Sequence, residues 1–217
     1  MSWLARLLRL PGHALYMIGF ALWEWSFVLW KRPALLPALW RTWEWSLFHS
    51  PYNRKDIPPS EELTYGELAL PTVDVVLTQL EADENDCIVD LGSGRGRVVL
   101  LAACRGIPSH GIELLDRLVK AANYAQGSDL PLARFTCDSF LEADLRHATV
   151  LWAVGTCWGP TTRTKLLERI LHLSPGTRIV SVTRPFRHPR LPIQTVIRGW
   201  TSWGRDRYYI QHLKPPL

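Results

Sequence analysis

Between residues 86 and 113 the chain changes its local preference in an order that few folds accommodate. A short run led by β-branched residues, Cys87–Val89, ends in an acid, Asp90. Glycines follow at alternate positions, Gly92, Gly94 and Gly96. An apolar helical run, 98–103, comes next, and a second short apolar run around Ile107 and His110–Ile112 ends in Glu113. The pattern is strand, glycine turn, helix, strand, with a carboxylate closing each strand. Glycine lets a backbone turn tightly and approach a ligand that a Cβ would exclude. In an open parallel sheet the ligand lies beyond the carboxyl ends of the strands, and an acid about 20 residues past the glycine turn accepts hydrogen bonds from ribose hydroxyls. The segment therefore predicts a βαβ unit that binds a nucleotide-like cofactor.

The spacing narrows the cofactor. It is Gly-x-Gly-x-Gly rather than the Gly-x-Gly-x-x-Gly of dinucleotide enzymes, and Asp90 stands two residues before the first glycine. A pyrophosphate prefers an uncharged helix N-terminus, so Asp90 would repel it. The same carboxylate suits a cationic amino-acid moiety. S-adenosylmethionine (SAM) carries an amino group, a sulfonium and a ribose, and no phosphate. These residues resemble motif I and the following acidic motif of class I SAM-dependent methyltransferases.

More of the chain joins the match. Thr64-Tyr65-Gly66-Glu67-Leu68 lies upstream of the turn, Arg97-Val98-Val99-Leu100 follows it, and Gly176–Ser181 and Tyr208-Tyr209-Ile210 come later. Over roughly residues 60–213 the set is similar to the Dot1-like branch and to the small membrane-anchored lysine methyltransferases of mitochondria and bacteria. The resemblance implies roles for matching positions. Tyr65 and Glu67 close over the methionine end of SAM; Asp90, Gly92, Ser93, Gly94 and Gly96 form the turn beneath it. Glu113 holds the ribose, and Asp138, Ser139 and Phe140 lie by the adenine. Many amino-methylating class I enzymes carry an Asn-Pro-Pro-Tyr-like tetrad after strand four. Here Gly155-Thr156-Cys157-Trp158 occupies that place, without asparagine. Thr156, Cys157 and Trp158 are expected to form the substrate mouth, with Trp152 a second candidate wall. No catalytic residue or general base is assigned, and no metal is expected.

Strands alternate with helices through the rest of the chain. The expected fold is α/β, Rossmann-like and doubly wound: a mostly parallel seven-stranded sheet with an antiparallel C-terminal strand, preceded by an N-terminal helical arm. Residues 1–50 form that Trp-rich arm, 51–62 a Pro-rich linker and 63–217 the methyltransferase domain. A helix is expected over Gly66–Leu80, before the first strand.

Four scattered cysteines (Cys87, Cys104, Cys137, Cys157) form no Cys-x-x-Cys pair, which argues against zinc and disulfide frameworks. Charge is uneven: residues 56–90 carry ten acids and no Lys or Arg, whereas 160–217 carry eleven Lys/Arg against two acids. No aromatic-interleaved RNA-binding motif accompanies the basic stretch, so a solvated face is expected and nucleic acid is not.

Seven of the eleven tryptophans fall in the first 45 residues, and Trp-Glu-Trp-Ser occurs twice, at 23–26 and 43–46. Ala14–Trp30 is apolar except for Glu24 and Ser26. In the following segment Leu36, Leu39, Trp40, Trp43 and Leu47 form one helical stripe, with Arg41 and Glu44 off it. Pro33 and Pro37 separate the two segments, which reads as a helical hairpin. Tryptophan flanked by Lys/Arg favours a membrane interface. The preferred expectation is a membrane-associated arm on the cytoplasmic side of a membrane (or a cytoplasmic enzyme). The alternatives are a helical cap on the domain or on a second copy, and a cleavable signal peptide. Removing residues 1–50 is expected to leave SAM binding intact.

The chain is thus expected to be a SAM-dependent methyltransferase acting on protein lysine, with a protein or hydrophobic substrate. A small hydrophobic or lipid-like substrate, and a non-catalytic SAM-binding membrane or assembly factor, are the alternatives.

Overall fold

A computed structural model describes residues 12–48 and 66–216. The linker at 51–62 and Tyr65 lie outside the described residues. Two N-terminal helices, α1 (Gly12–Lys31) and α2 (Leu36–Phe48), flank a short 3₁₀ turn, Pro33–Leu35. Then come α3 (Leu70–Gln79), β1 (Ile88–Leu91), α4 (Arg97–Cys104), β2 (Ser109–Glu113), α5 (Asp116–Gln126) and β3 (Ala133–Cys137). The chain continues through β4 (Val150–Ala153), α6 (Pro160–Leu171), β5 (Arg178–Val182), β6 (Ile193–Thr201) and β7 (Gly204–His212).

The strands form one seven-stranded sheet in the order β3-β2-β1-β4-β5-β7-β6. β1 to β5 run parallel, and β7 is antiparallel to β5 and β6. The expected Rossmann-like sheet is therefore present. β1, β2 and β4 are buried at every position, as a parallel sheet covered on both faces requires. Alternate residues feed opposite layers. Ile88, Val150, Trp152 and Val180 join α3, α4 and part of the arm; Val89, Leu91, Leu151 and Ile179 join α6. Trp152 is fully buried in the first layer and is no part of a mouth. The strand order reverses between β1 and β4, so the crevice for a ligand opens beyond their carboxyl ends.

The helix expected from Gly66 begins at Leu70 instead, with Pro71 in its first turn. Residues 66–69 are extended because the hairpin between β6 and β7 captures them. Ala69 N donates to Trp200 O (3.1 Å), and Ser202 N donates to Glu67 O (2.7 Å).

The arm corrects the sequence reading. Among the described residues no helix is long and apolar enough to cross a membrane. The expected membrane-associated arm, its placement on the cytoplasmic side of a membrane and the likeness to the membrane-anchored branch are overturned with it. The physical reason lies in the polar residues. In α1 the buried positions Phe20, Glu24 and Val28 recur every four residues and face the domain. Glu24, which interrupts the apolar run, is paired with Arg97. Arg32 reaches Asp74 at 2.6 Å. In α2 the expected stripe does not face inward as a whole: Trp40 and Trp43 are exposed and lie against each other at 5.0 Å. Arg41 and Glu44, outside the stripe, make the ties. Arg41 donates to Ala125 O and Gln126 O (3.0 Å each) and pairs with Asp129 (2.7 Å). It thereby satisfies the last carbonyls of α5 and complements the negative end of that helix. Glu44 accepts from Tyr124 Oη at 2.8 Å. The described residues of the arm cap the domain.

Candidate active site

The glycine turn is built by backbone bonds to the end of β2. Gly92 N and Ser93 N both donate to Ile112 O, at 2.8 and 3.2 Å. Gly92, Gly94 and Gly96 all have positive φ (74°, 55° and 83°), a region that costs an L side chain strain. Gly96 then starts α4, and a Cβ there would strike the Phe135 ring. A further required glycine escaped sequence reading. A Cβ on Gly111, inside β2, would sit 2.6 Å from Ser93 Oγ. Its signal was present, since glycine within a strand marks a close backbone approach.

Beside this turn lies a cavity of about 590 Å³. Asp90, Gly92, Ser93 and Gly94 line it from the turn, and Glu113 lines it from β2. Ser139 and Phe140 contribute from the loop after β3; Thr156, Cys157 and Trp158 contribute from the loop after β4. Glu67 closes it from the segment before α3. Gly96 and Asp138 do not line it. Gly96 is spent on helix packing. Asp138 is exposed; its N–H donates to Glu113 O (3.0 Å) and its Oδ1 accepts from Ser139 N (2.7 Å). Sequence reasoning missed Arg97, Leu114, Leu115 and Trp203, all at the cavity wall. Leu114 and Leu115 directly follow the acid at a strand end, where the ligand crevice is expected. Trp203 carried no local signal, because it arrives by the remote β6–β7 turn.

Charge is arranged unequally around the turn. Glu113 is satisfied: Oε2 accepts from Gly94 N and Oε1 from Leu115 N, both at 2.9 Å. Asp90 is 3% exposed, and its Oδ1 has no hydrogen-bond partner among the described residues. Burial first, and the charge of Glu113 second, push the Asp90 carboxyl up to about 8. On the far side of the turn, Arg97 sits between Glu24 and Glu67. Burial works against its charge, yet the two carboxylates outweigh that and hold its pKa above the ordinary arginine value. Burial raises Glu24 against the pull of Arg97 and the Leu70 amide.

The mouth is aromatic. Trp158 folds back over Gly155, where any Cβ would collide with its ring, and meets Phe140 at 4.7 Å. The glycine of Gly155-Thr156-Cys157-Trp158 is thus required by the tryptophan.

These residues fit SAM. A buried carboxylate oxygen without a partner can take an ammonium. A second carboxylate stands at the adjacent strand end. Gly92 lies open on the cavity side, with Trp158 the nearest group at 3.9 Å from a Cβ placed there. Leu114, Leu115, Phe140 and Leu141 offer an apolar slot for a base.

Comparison with known proteins agrees. The family model described as histone methylation protein DOT1 matches residues 55–198, more than half of the chain. A Drosophila melanogaster histone-lysine N-methyltransferase, H3 lysine-79 specific, is 28% identical over 139 residues. That match covers 57% of this chain and 8% of the Drosophila protein, so the chain spans a small part of that relative's length. An RNA methyltransferase from Salinibacter ruber, solved with S-adenosylhomocysteine, is 31% identical with a TM-score of 0.56, covering 68% of this chain and 93% of the other. A magnesium protoporphyrin IX methyltransferase from Synechocystis, solved with SAM, shares the fold at 15% identity and a TM-score of 0.54, over 67% of this chain and 79% of that one. With a seven-stranded class I sheet, a carboxylate-flanked glycine turn and these relatives in agreement, the chain belongs to the DOT1 family and is a SAM-dependent methyltransferase.

Proposed function

We propose that this enzyme methylates the side-chain amine of a protein lysine. The observation that carries the reading is the mouth: Trp158 folded over Gly155, with Val154 and Cys157 beside the same cavity. A lysine nucleophile must be neutral, against a free pKa of about 10.4. Desolvation in an apolar funnel lowers that value by disfavouring the ammonium. The DOT1 family match and the lysine-79-specific Drosophila relative support the same substrate class.

The residues divide the work as follows. Bound SAM supplies a methyl group already activated by its positive sulfur. Asp90 takes the ammonium of the methionine moiety and gives up its proton as it does so. Glu113 accepts the ribose hydroxyls on its remaining lone pairs. Ser139 and Phe140, with Leu114 and Leu115, hold the adenine, while Asp138 orients Ser139. Glu67 closes the methionine end. Gly92, Ser93, Gly94 and Gly96 give the turn its shape. Thr156, Cys157 and Trp158 exclude water from the mouth and align the incoming amine, which orientation alone favours strongly. No side chain is assigned as general base.

A second reading is methylation of RNA, favoured by the Salinibacter relative and the surplus of arginine in residues 160–217. One assay separates the two. The purified enzyme is given SAM labelled in its methyl group, together with a cell extract. Label in protein that withstands base, and recovered as methyl-lysine after hydrolysis, is the expected result. Label released by ribonuclease would support RNA instead, and label passing into organic solvent would point to a small hydrophobic substrate.

A further inference from the structure

The arm does more than cover the domain, because a continuous path of polar contacts runs from it into the cofactor cavity. Glu24 of α1 is 5% exposed. Its Oε1 accepts from Leu70 N (2.8 Å) and from the Arg97 guanidinium. Arg97 lines the cavity, donates through Nε to Leu68 O (2.9 Å) and reaches Glu67 Oε2 at 3.4 Å. The other oxygen of Glu67 accepts from Arg95 Nε at 2.9 Å. Arg95 in turn reaches Ser46 Oγ of α2. Both arginines belong to Gly94-Arg95-Gly96-Arg97, the second half of the glycine turn itself.

All four charged side chains on this path are nearly buried, at 7–12% exposure. A buried ion pair that loses one partner leaves the other charge uncompensated in a low dielectric. The positions of Arg95, Arg97 and Glu67 therefore depend on the arm. The opposite half of the turn needs no such help, since Gly92 and Ser93 hang on backbone bonds to Ile112.

We infer that Glu24 and Ser46 are positioning residues for the cofactor: they hold Arg97 and Arg95, and through them Glu67 and the glycine turn, in the form that receives SAM. Docking of the arm and binding of SAM are then coupled, and coupling is reciprocal: each strengthens the other by the same factor. This inference rests on the SAM placement proposed above.

Hydrogen exchange on the full chain, with and without saturating S-adenosylhomocysteine, tests it without any variant. The expected result is slower exchange, by roughly tenfold, in α1 and α2 as well as in residues 90–97. Protection confined to 90–97 would overturn the coupling and leave the SAM placement standing. Protection in neither region would overturn the placement itself. A steady-state comparison adds the residue. Glu24→Gln keeps an acceptor for the Leu70 amide but removes the charge. It should raise KM for SAM by about tenfold, with a smaller fall in kcat. Arg41→Ala, which loosens the arm away from this path, should leave KM for SAM unchanged. A lower melting temperature in Glu24→Gln with unaltered KM would make Glu24 merely structural and would sink the proposal.

Discussion

The two halves of the glycine turn handle buried charge in opposite ways. Before it, Asp90 is buried with its Oδ1 left without a partner among the described residues, and its acid is pushed up to about 8. After it, Arg97 is buried between two carboxylates, with Arg95 on one of them. An unsatisfied buried carboxylate is costly, and it persists where a ligand completes it. A saturated ionic path instead fixes geometry, since every departure strands a charge. The contrast separates a binding element from a scaffold within eight residues of chain, 90–97.

The largest effect should come from removing the scaffold. A chain lacking residues 1–48 leaves Arg97 without Glu24 and Arg95 without Ser46, and removes Val28, Leu35 and Ala38 from the core cluster they share with α3. Losing one partner of a buried pair costs about 3–5 kcal/mol. We therefore expect no measurable SAM binding by calorimetry and a much lower melting temperature, contrary to the separable arm read from sequence. Normal SAM affinity in the shortened chain would erase the contrast between the two halves.

Next in size is Glu113→Ala. It removes the acceptor for two backbone amides as well as the acid proposed to hold the ribose. SAM affinity should fall by about 1–3 kcal/mol, read by titration calorimetry. An unchanged affinity would detach Glu113 from the ribose.

Asp90→Asn should act in two directions. The folded acid titrates near 8, against 3.8 for a free aspartate. The folded apo state thus binds the extra proton between those values, so Asp90's contribution to stability declines as pH rises from about 4 to about 8. At pH above about 8 the neutral asparagine should melt higher than wild type in the absence of cofactor. SAM affinity at pH 7 should drop about tenfold, for want of a carboxylate facing the ammonium. A variant that is both less stable and normal in affinity would contradict both halves of this expectation.

The smallest effect belongs to Arg41→Ala, on the arm but away from the turn. Loss of the cap on α5 should cost about 1–2 kcal/mol in denaturant unfolding, with SAM affinity unaltered.

How far the sequence went follows from the range of the contacts involved. The βαβ unit, its glycine turn and both strand-end acids were readable because each lies within 28 residues of the others, 86–113, and rests on local backbone rules. The cavity lining after β3 and β4 was reached only through the likeness to class I methyltransferases, whose motifs put residues at those strand ends. The arm was not. Glu24 and Arg97 are 73 residues apart, and Arg41 and Asp129 are 88 apart. Without those partners an apolar helix with tryptophans reads as a membrane element. The same distance hid Trp203, whose ring lies against Gly66, 2.6 Å from a Cβ placed there. Residues 66–69 read as the start of a helix for the same reason, since the hairpin that extends them lies more than 130 residues away.

The central claim is that Asp90, whose acid burial pushes up to about 8 and whose Oδ1 has no hydrogen-bond partner among the described residues, ionises to receive the ammonium of SAM. Titrating SAM into the full chain at pH 7 in two buffers of different ionisation enthalpy measures this directly. The account predicts binding whose observed heat differs between the buffers by the release of close to one proton, a difference absent in Asp90→Asn. Binding of SAM with no buffer dependence in the wild-type chain, or no binding of SAM at all, would contradict it.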